Sequence, residues 1–155
     1  MRAPRRCGES DGIIDGALWA EEGAIATPHP TAPTLGGVLA VDDQESFRRL
    51  LRQLVDATES LVPVGEAASG EAAVALVGEL EPDVVLMDVR MPGIGGVEAA
   101  RRIKELRPAT LVLLVSTTPA EHFGVAIAES GADAFVDKGE LRPQLLDELW
   151  RGHAP

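Results

Sequence analysis

Several short apolar runs in this chain end on side chains able to do chemistry. Val38 to Val41 runs into Asp42 and Asp43, Val84 to Met87 into Asp88, and Leu111 to Val115 into Ser116. Ala134, Phe135 and Val136 lead on to Lys138. Three carboxylates at contact distance repel one another, and without compensation at least one takes up a proton. Oxygen-only ligands suit a hard cation, and Mg2+ is commonly held by one or two carboxylates, several waters and phosphate oxygens. A carboxylate beside such an ion can act as a nucleophile toward phosphorus, giving an aspartyl phosphate. Transfer of that kind depends on positioning and on neutralising charge on the equatorial oxygens. The ion would take one oxygen, Lys138 another as a point charge, and the Ser116 hydroxyl a third.

Singly, these residues carry little weight. A lone strand-end Asp such as Asp88 more often starts a loop or caps a helix, and a pair such as Asp42–Asp43 is usually a turn or helix-start device. Strand-end Ser and Lys are more often solvated than chemical. Their joint occurrence, in order and on the correct strands, is what points to a site.

The elements that must position them follow from the pattern of apolar residues. VVLMDVRMPG opens on an unbroken apolar run, which reads as a strand buried on both faces and puts Asp88 at its carboxyl end. Open α/β sheets bind their ligands there. Phe47, Leu50, Leu51, Leu54 and Val55 mark one helix face after the first strand. LVPVGEA is a second strand, and Pro63 within it predicts an edge position. Ser69 is placed to cap a helix with Ala72, Ala73, Leu76, Val77 and Leu80 on its inner face. A third helix runs from about Gly96 to Leu106 and stops before Pro108. Pro119 suits the opening of a fourth, about Ala120 to Ser130, with Gly131 placed to end it. Leu141, Leu145, Leu146, Leu149 and Trp150 outline a last amphipathic helix. Five strands alternating with five helices predict a doubly wound α/β fold with helices on two faces of a parallel sheet in the order 2-1-3-4-5. The second strand ends in the small residues of EAASG, as an outer strand away from the site would.

Composition sets the outer bounds. A chain of 155 residues is one domain with a tail. The domain is assigned to 36–152, with a short tail at 153–155. Residues 1–35 end in TPHPTAPTLGG and read as a weakly structured leader. Its basic head is no signal peptide, because Glu9, Asp11 and Asp15 interrupt any apolar stretch. The formal net charge of −11 repels phosphate backbones and argues against direct nucleic-acid binding. Cys7 is the only cysteine, so no internal disulfide can form, which fits a cytoplasmic location. No apolar run approaches membrane-spanning length.

The segments VLAVDD, PDVVLMDVRMPGIGG, LVLLVS and GADAFVDK, within Val38 to about Arg151, resemble the receiver domain of two-component response regulators, a flavodoxin-like fold. The wording is most similar to receivers of LuxR-like DNA-binding regulators. The resemblance implies that Asp88 is the phosphoacceptor, with Mg2+ held by Asp43 directly, by Asp42 partly through water, by Asp88, and by the main-chain carbonyl of Arg90. It makes Ser116 the switch hydroxyl, Phe135 the switch aromatic and Lys138 the phosphate-pairing lysine, with Arg90, Thr117 and Thr118 modulating the site. Thr117 stands where Ala is common, and Gly139 where many members have a cis proline. The implied partners are a histidine kinase or phosphotransfer protein and a downstream protein target. The face of helix four, strand five and helix five would change partner binding on phosphorylation, and by the same analogy could pair two copies. No helix-turn-helix follows Trp150, so the chain reads as a stand-alone receiver or as one whose output domain lies elsewhere.

Two other functions compete. A receiver-like adaptor would bind partners without phosphorylation, a reading disfavoured by the full set of site residues. A haloacid-dehalogenase-type phosphatase would need a second Asp two positions after its nucleophile, where Arg90 stands. The expectation is a switch with at most slow self-dephosphorylation rather than an enzyme.

Overall fold

The computed structural model describes residues Leu35 to His153, so the expected leader, apart from Leu35, and the last two residues lie outside the described residues. Among the described residues there are five strands: β1 (Gly36–Val41), β2 (Leu61–Ala67), β3 (Val84–Asp88), β4 (Leu111–Ser116) and β5 (Ala134–Asp137). The helices between and after them are α1 (Glu45–Asp56), α2 (Gly70–Leu80), α3 (Gly95–Leu106), α4 (Ala126–Glu129) and α5 (Pro143–His153). All strand pairs are parallel, and the order is β2-β1-β3-β4-β5, the expected topology. Pro63 does lie on an edge strand, and the β1–β2 register slips beside it, between Val38 and Leu39.

The alternation of the strands divides the core in two. Leu39, Val41, Val85, Met87, Val112 and Leu114 point to one face and meet Ala73 and Val77 of α2 and Ala99, Ala100 and Ile103 of α3. Val38, Ala40, Val84, Leu86, Leu111 and Leu113 point to the other and meet Leu51 and Val55 of α1 and Leu146 and Trp150 of α5. Because β1, β3 and β4 are buried on both faces, every residue in them is apolar or small until the carboxyl end. The predicted inner faces of α1 and α2 hold except at one edge. Leu50 and Leu80 are exposed at 44% and 39%. Ser69 caps α2 as expected, its hydroxyl accepting the Ala72 N–H at 3.1 Å.

The fourth helix departs from expectation. Instead of one helix over 120–130, a single 3-10 turn (Ala120–Phe123) is followed by a break and then the four residues of α4. Gly124 sits between them at φ 60°, ψ −138°, a conformation open essentially to glycine alone. Glycine inside a helix already costs about 1 kcal/mol relative to alanine, and a β-branched valine follows it. Val125 is 71% exposed, so no packing offsets that cost. Local preference prevails over the apolar pattern here.

Candidate functional site

Strand register brings the chemical residues to one rim. Val41 pairs with Met87, so the chains leave β1 and β3 side by side with Asp42 next to Asp88. Asp88 pairs with Val115, one residue before Ser116, and Ser116 pairs with Asp137, one residue before Lys138. One carboxylate oxygen from each of Asp42, Asp43 and Asp88 lies within 4.8 Å of the others. Lys138 reaches in from the far side of β4, its Nζ 2.9 Å from Asp42 Oδ2 and 3.2 Å from Asp88 Oδ1. Asp42 and Asp88 are buried, Asp43 is exposed, and Lys138 is largely covered.

The backbone fits the site closely. The Gln44 N–H donates to Asp42 Oδ1 at 2.9 Å and turns the chain into α1. A Cβ on Gly96 would stand 2.1 Å from the main-chain oxygen of Asp88, so only glycine lets α3 start this near the strand end.

The charges do not balance. Three carboxylates face one ammonium. Burial, and next the charge of Asp42, raise the Asp88 carboxyl above its ordinary value of 3.8, and Lys138 only partly opposes them. Burial works against the Lys138 ammonium, but its hydrogen bond to Asp42 and the charges of Asp88 and Asp42 outweigh this and raise its pKa. A half-buried, all-oxygen donor set with surplus negative charge fits a hard divalent cation.

The other singled-out residues lie around this centre. Ser116 is buried, and its hydroxyl accepts the Thr118 N–H at 2.9 Å, while Thr117 faces solvent. After Lys138 the chain is held by the Gly139 N–H donating to Asp137 Oδ1 at 2.7 Å. The half-buried Phe135 ring lies 6.0 Å from that of Phe123, and the Arg90 guanidinium stands over the Phe123 ring at 5.4 Å.

The contacts of three residues were not legible in the sequence. Phe47 counted there only as part of an apolar helix face, yet Lys138 Nζ sits 4.0 Å from its ring centroid. Arg48 donates from Nη1 to the main-chain oxygen of Asp42 at 2.7 Å and from Nε to Glu66 at 3.3 Å. Phe123 falls in the segment expected to be plain helix. Apolar periodicity tells which face a residue takes, not what crosses it from another element.

A parallel five-stranded sheet in this order, with an acidic triad and a lysine at its carboxyl rim, defines a receiver-type signalling module. The response regulator receiver domain pattern matches residues 38–149, and the chain belongs to that family of two-component system proteins. Aspartate phosphorylation and Mg2+ binding at an acidic pocket are typical of its members. Among relatives, the response regulator GacA of Pseudomonas aeruginosa is 40% identical over 112 residues, 72% of this chain and 52% of that protein. The chain thus spans about half the length of such relatives. A LuxR-family two-component response regulator from Aurantimonas sp. SI85-9A1 superposes with a TM-score of 0.69 at 30% identity, covering 77% of this chain and 87% of that one. The CheX-CheY-BeF3-Mg2+ complex from Borrelia burgdorferi gives a TM-score of 0.69 at 25% identity, covering 79% of this chain and 92% of that one. Among the described residues, no helix is long and apolar enough to cross a membrane.

Proposed function

We propose that this chain is a phosphorylation-driven switch in which Asp88 accepts a phosphoryl group from a histidine kinase or phosphotransfer protein. The observation that carries this is the seating of the Lys138 ammonium between Asp42 and Asp88, with Asp43 alongside. Asp42, Asp43, Asp88 and the main-chain carbonyl of Arg90 would hold Mg2+, which when bound neutralises carboxylate repulsion and charge on the phosphoryl oxygens. One Asp88 oxygen attacks phosphorus, an acyl-phosphate O–P bond forms, and the donor's P–N bond breaks with its electron pair retained by the imidazole. Lys138, already within 3.2 Å of Asp88, pairs with a phosphoryl oxygen as a point charge.

The phosphorylated carboxylate carries close to two negative charges, about one more than the free carboxylate, and adds strong acceptors. In this reading Ser116 turns its hydroxyl from the Thr118 N–H toward the phosphoryl group, and Phe135 moves into the vacated space. Arg90, Thr117 and Thr118 would tune how long the group persists. The readout surface is α4, β5 and α5, by which a downstream protein, or a second copy, would sense the state. The short, interrupted α4 supports this reading, because few interactions there resist rearrangement.

Intact-mass measurement after incubation with acetyl phosphate tests the proposal. The wild type should gain one phosphoryl group with Mg2+ and none without it, and Asp88→Ala should gain none. A wild type left unmodified by acetyl phosphate and by candidate kinases would favour the phosphorylation-independent adaptor.

A further inference from the structure

A lysine head on a flexible four-carbon stem needs more than one partner to stay in place. At this rim the two anionic partners are also the groups whose surroundings change most when phosphate arrives. A third contact does not depend on them. Lys138 Nζ lies over the face of Phe47, 4.0 Å from the ring centroid, within the range of a cation–π interaction. The ring is itself held by independent means. The Phe47 N–H donates to the Gln44 carbonyl at 3.1 Å in the first turn of α1. The next residue, Arg48, ties that turn to the Asp42 carbonyl at 2.7 Å and to Glu66 of β2 at 3.3 Å. The ring also packs against the core cluster between the sheet and α1 and α5.

We propose that Phe47 is a positioning residue for the phosphoryl-accepting site, its ring face seating the Lys138 ammonium between Asp42 and Asp88. The inference rests on Asp88 being the phosphoacceptor. A ring face attracts the cation without neutralising it or competing as a charged acceptor, so the lysine stays available to a phosphoryl oxygen while remaining on station. Leucine at 47 would fill similar apolar space without the ring quadrupole, which separates this role from packing.

Two measurements on the intact chain test it. In NMR spectra of the wild type, the ring should shift the Lys138 ε-methylene protons upfield, and Phe47→Leu should remove that shift while Phe47→Tyr keeps it. In parallel, the rate of Asp88 phosphorylation by acetyl phosphate with Mg2+ should fall roughly threefold to tenfold in Phe47→Leu and recover in Phe47→Tyr. Absence of the upfield shift in the wild type overturns the inference, as does a Phe47→Leu rate within about twofold of wild type. Equal slowing by both substitutions would mean packing alone and overturns it too. A wild type that shows the shift but takes up no phosphoryl group refutes the phosphoacceptor function itself, and the positioning role falls with it.

Discussion

The surroundings of Asp88 work against its ionised state. Its carboxyl is buried 3.2 Å from one ammonium but shares its surroundings with Asp42 and Asp43, and its pKa is raised in consequence. A carboxyl whose folded pKa exceeds its unfolded one is a net cost once ionised. That cost is absent at pH below the ordinary 3.8, grows as pH rises through the folded value, and is full above it. Asp88→Asn should therefore raise the thermal midpoint near pH 7 without divalent cations, and the gain should vanish by about pH 3. A gain independent of pH, measured by scanning calorimetry, would point to packing rather than charge.

At the scale of elements, α3 shows how far the site depends on backbone fit. Gly96 starts that helix against the Asp88 carbonyl, so Gly96→Ala must push apart α3 and the end of β3. The expected loss is about 1–3 kcal/mol or more by urea denaturation, with slower phosphorylation of Asp88 because its carboxylate is displaced. The outer face of the same helix supplies a milder case. Glu98 bridges Arg101 at 2.6 Å and Arg102 at 2.8 Å, and these hydrogen bonds hold its carboxyl down to about 2. The stabilisation is full above the ordinary 4.5 and is lost as pH falls through about 2. Glu98→Gln should lower the midpoint slightly near pH 7, with the gap closing toward pH 2 and in high salt. A gap unchanged by either condition would exclude an ionic origin.

For the whole molecule the dominant fact is excess negative charge, −11 over the chain, with part of it focused at the sheet rim. A cation bound there stabilises the folded state by mass action. Mg2+ at ten times its dissociation constant should add about 1.4 kcal/mol, a few degrees in the midpoint of a domain this size. Asp43→Asn should abolish most of that increment, leaving only the general effect of ionic strength. Equal Mg2+ and Na+ effects at matched ionic strength in the wild type would argue against a specific site.

Residue order alone determined the sheet and its topology. Runs such as Val84 to Met87 and Leu111 to Val115 are too short for buried helices and read as strands buried on both sides, and right-handed crossovers leave few ways to join them. The rim residues were legible for the same reason, since a strand's last residue must lie at the sheet's carboxyl edge. Two kinds of feature became visible only in three dimensions. The break at Gly124 is a balance between local backbone cost and packing, and the exposure of Val125 tips it only once the neighbours are known. The contact between Phe47 and Lys138 joins residues 91 positions apart in sequence, on elements brought together by the sheet. Periodicity records the face a side chain takes on its own element, whereas a contact between elements depends on register, crossover and rotamer, which only the folded chain sets.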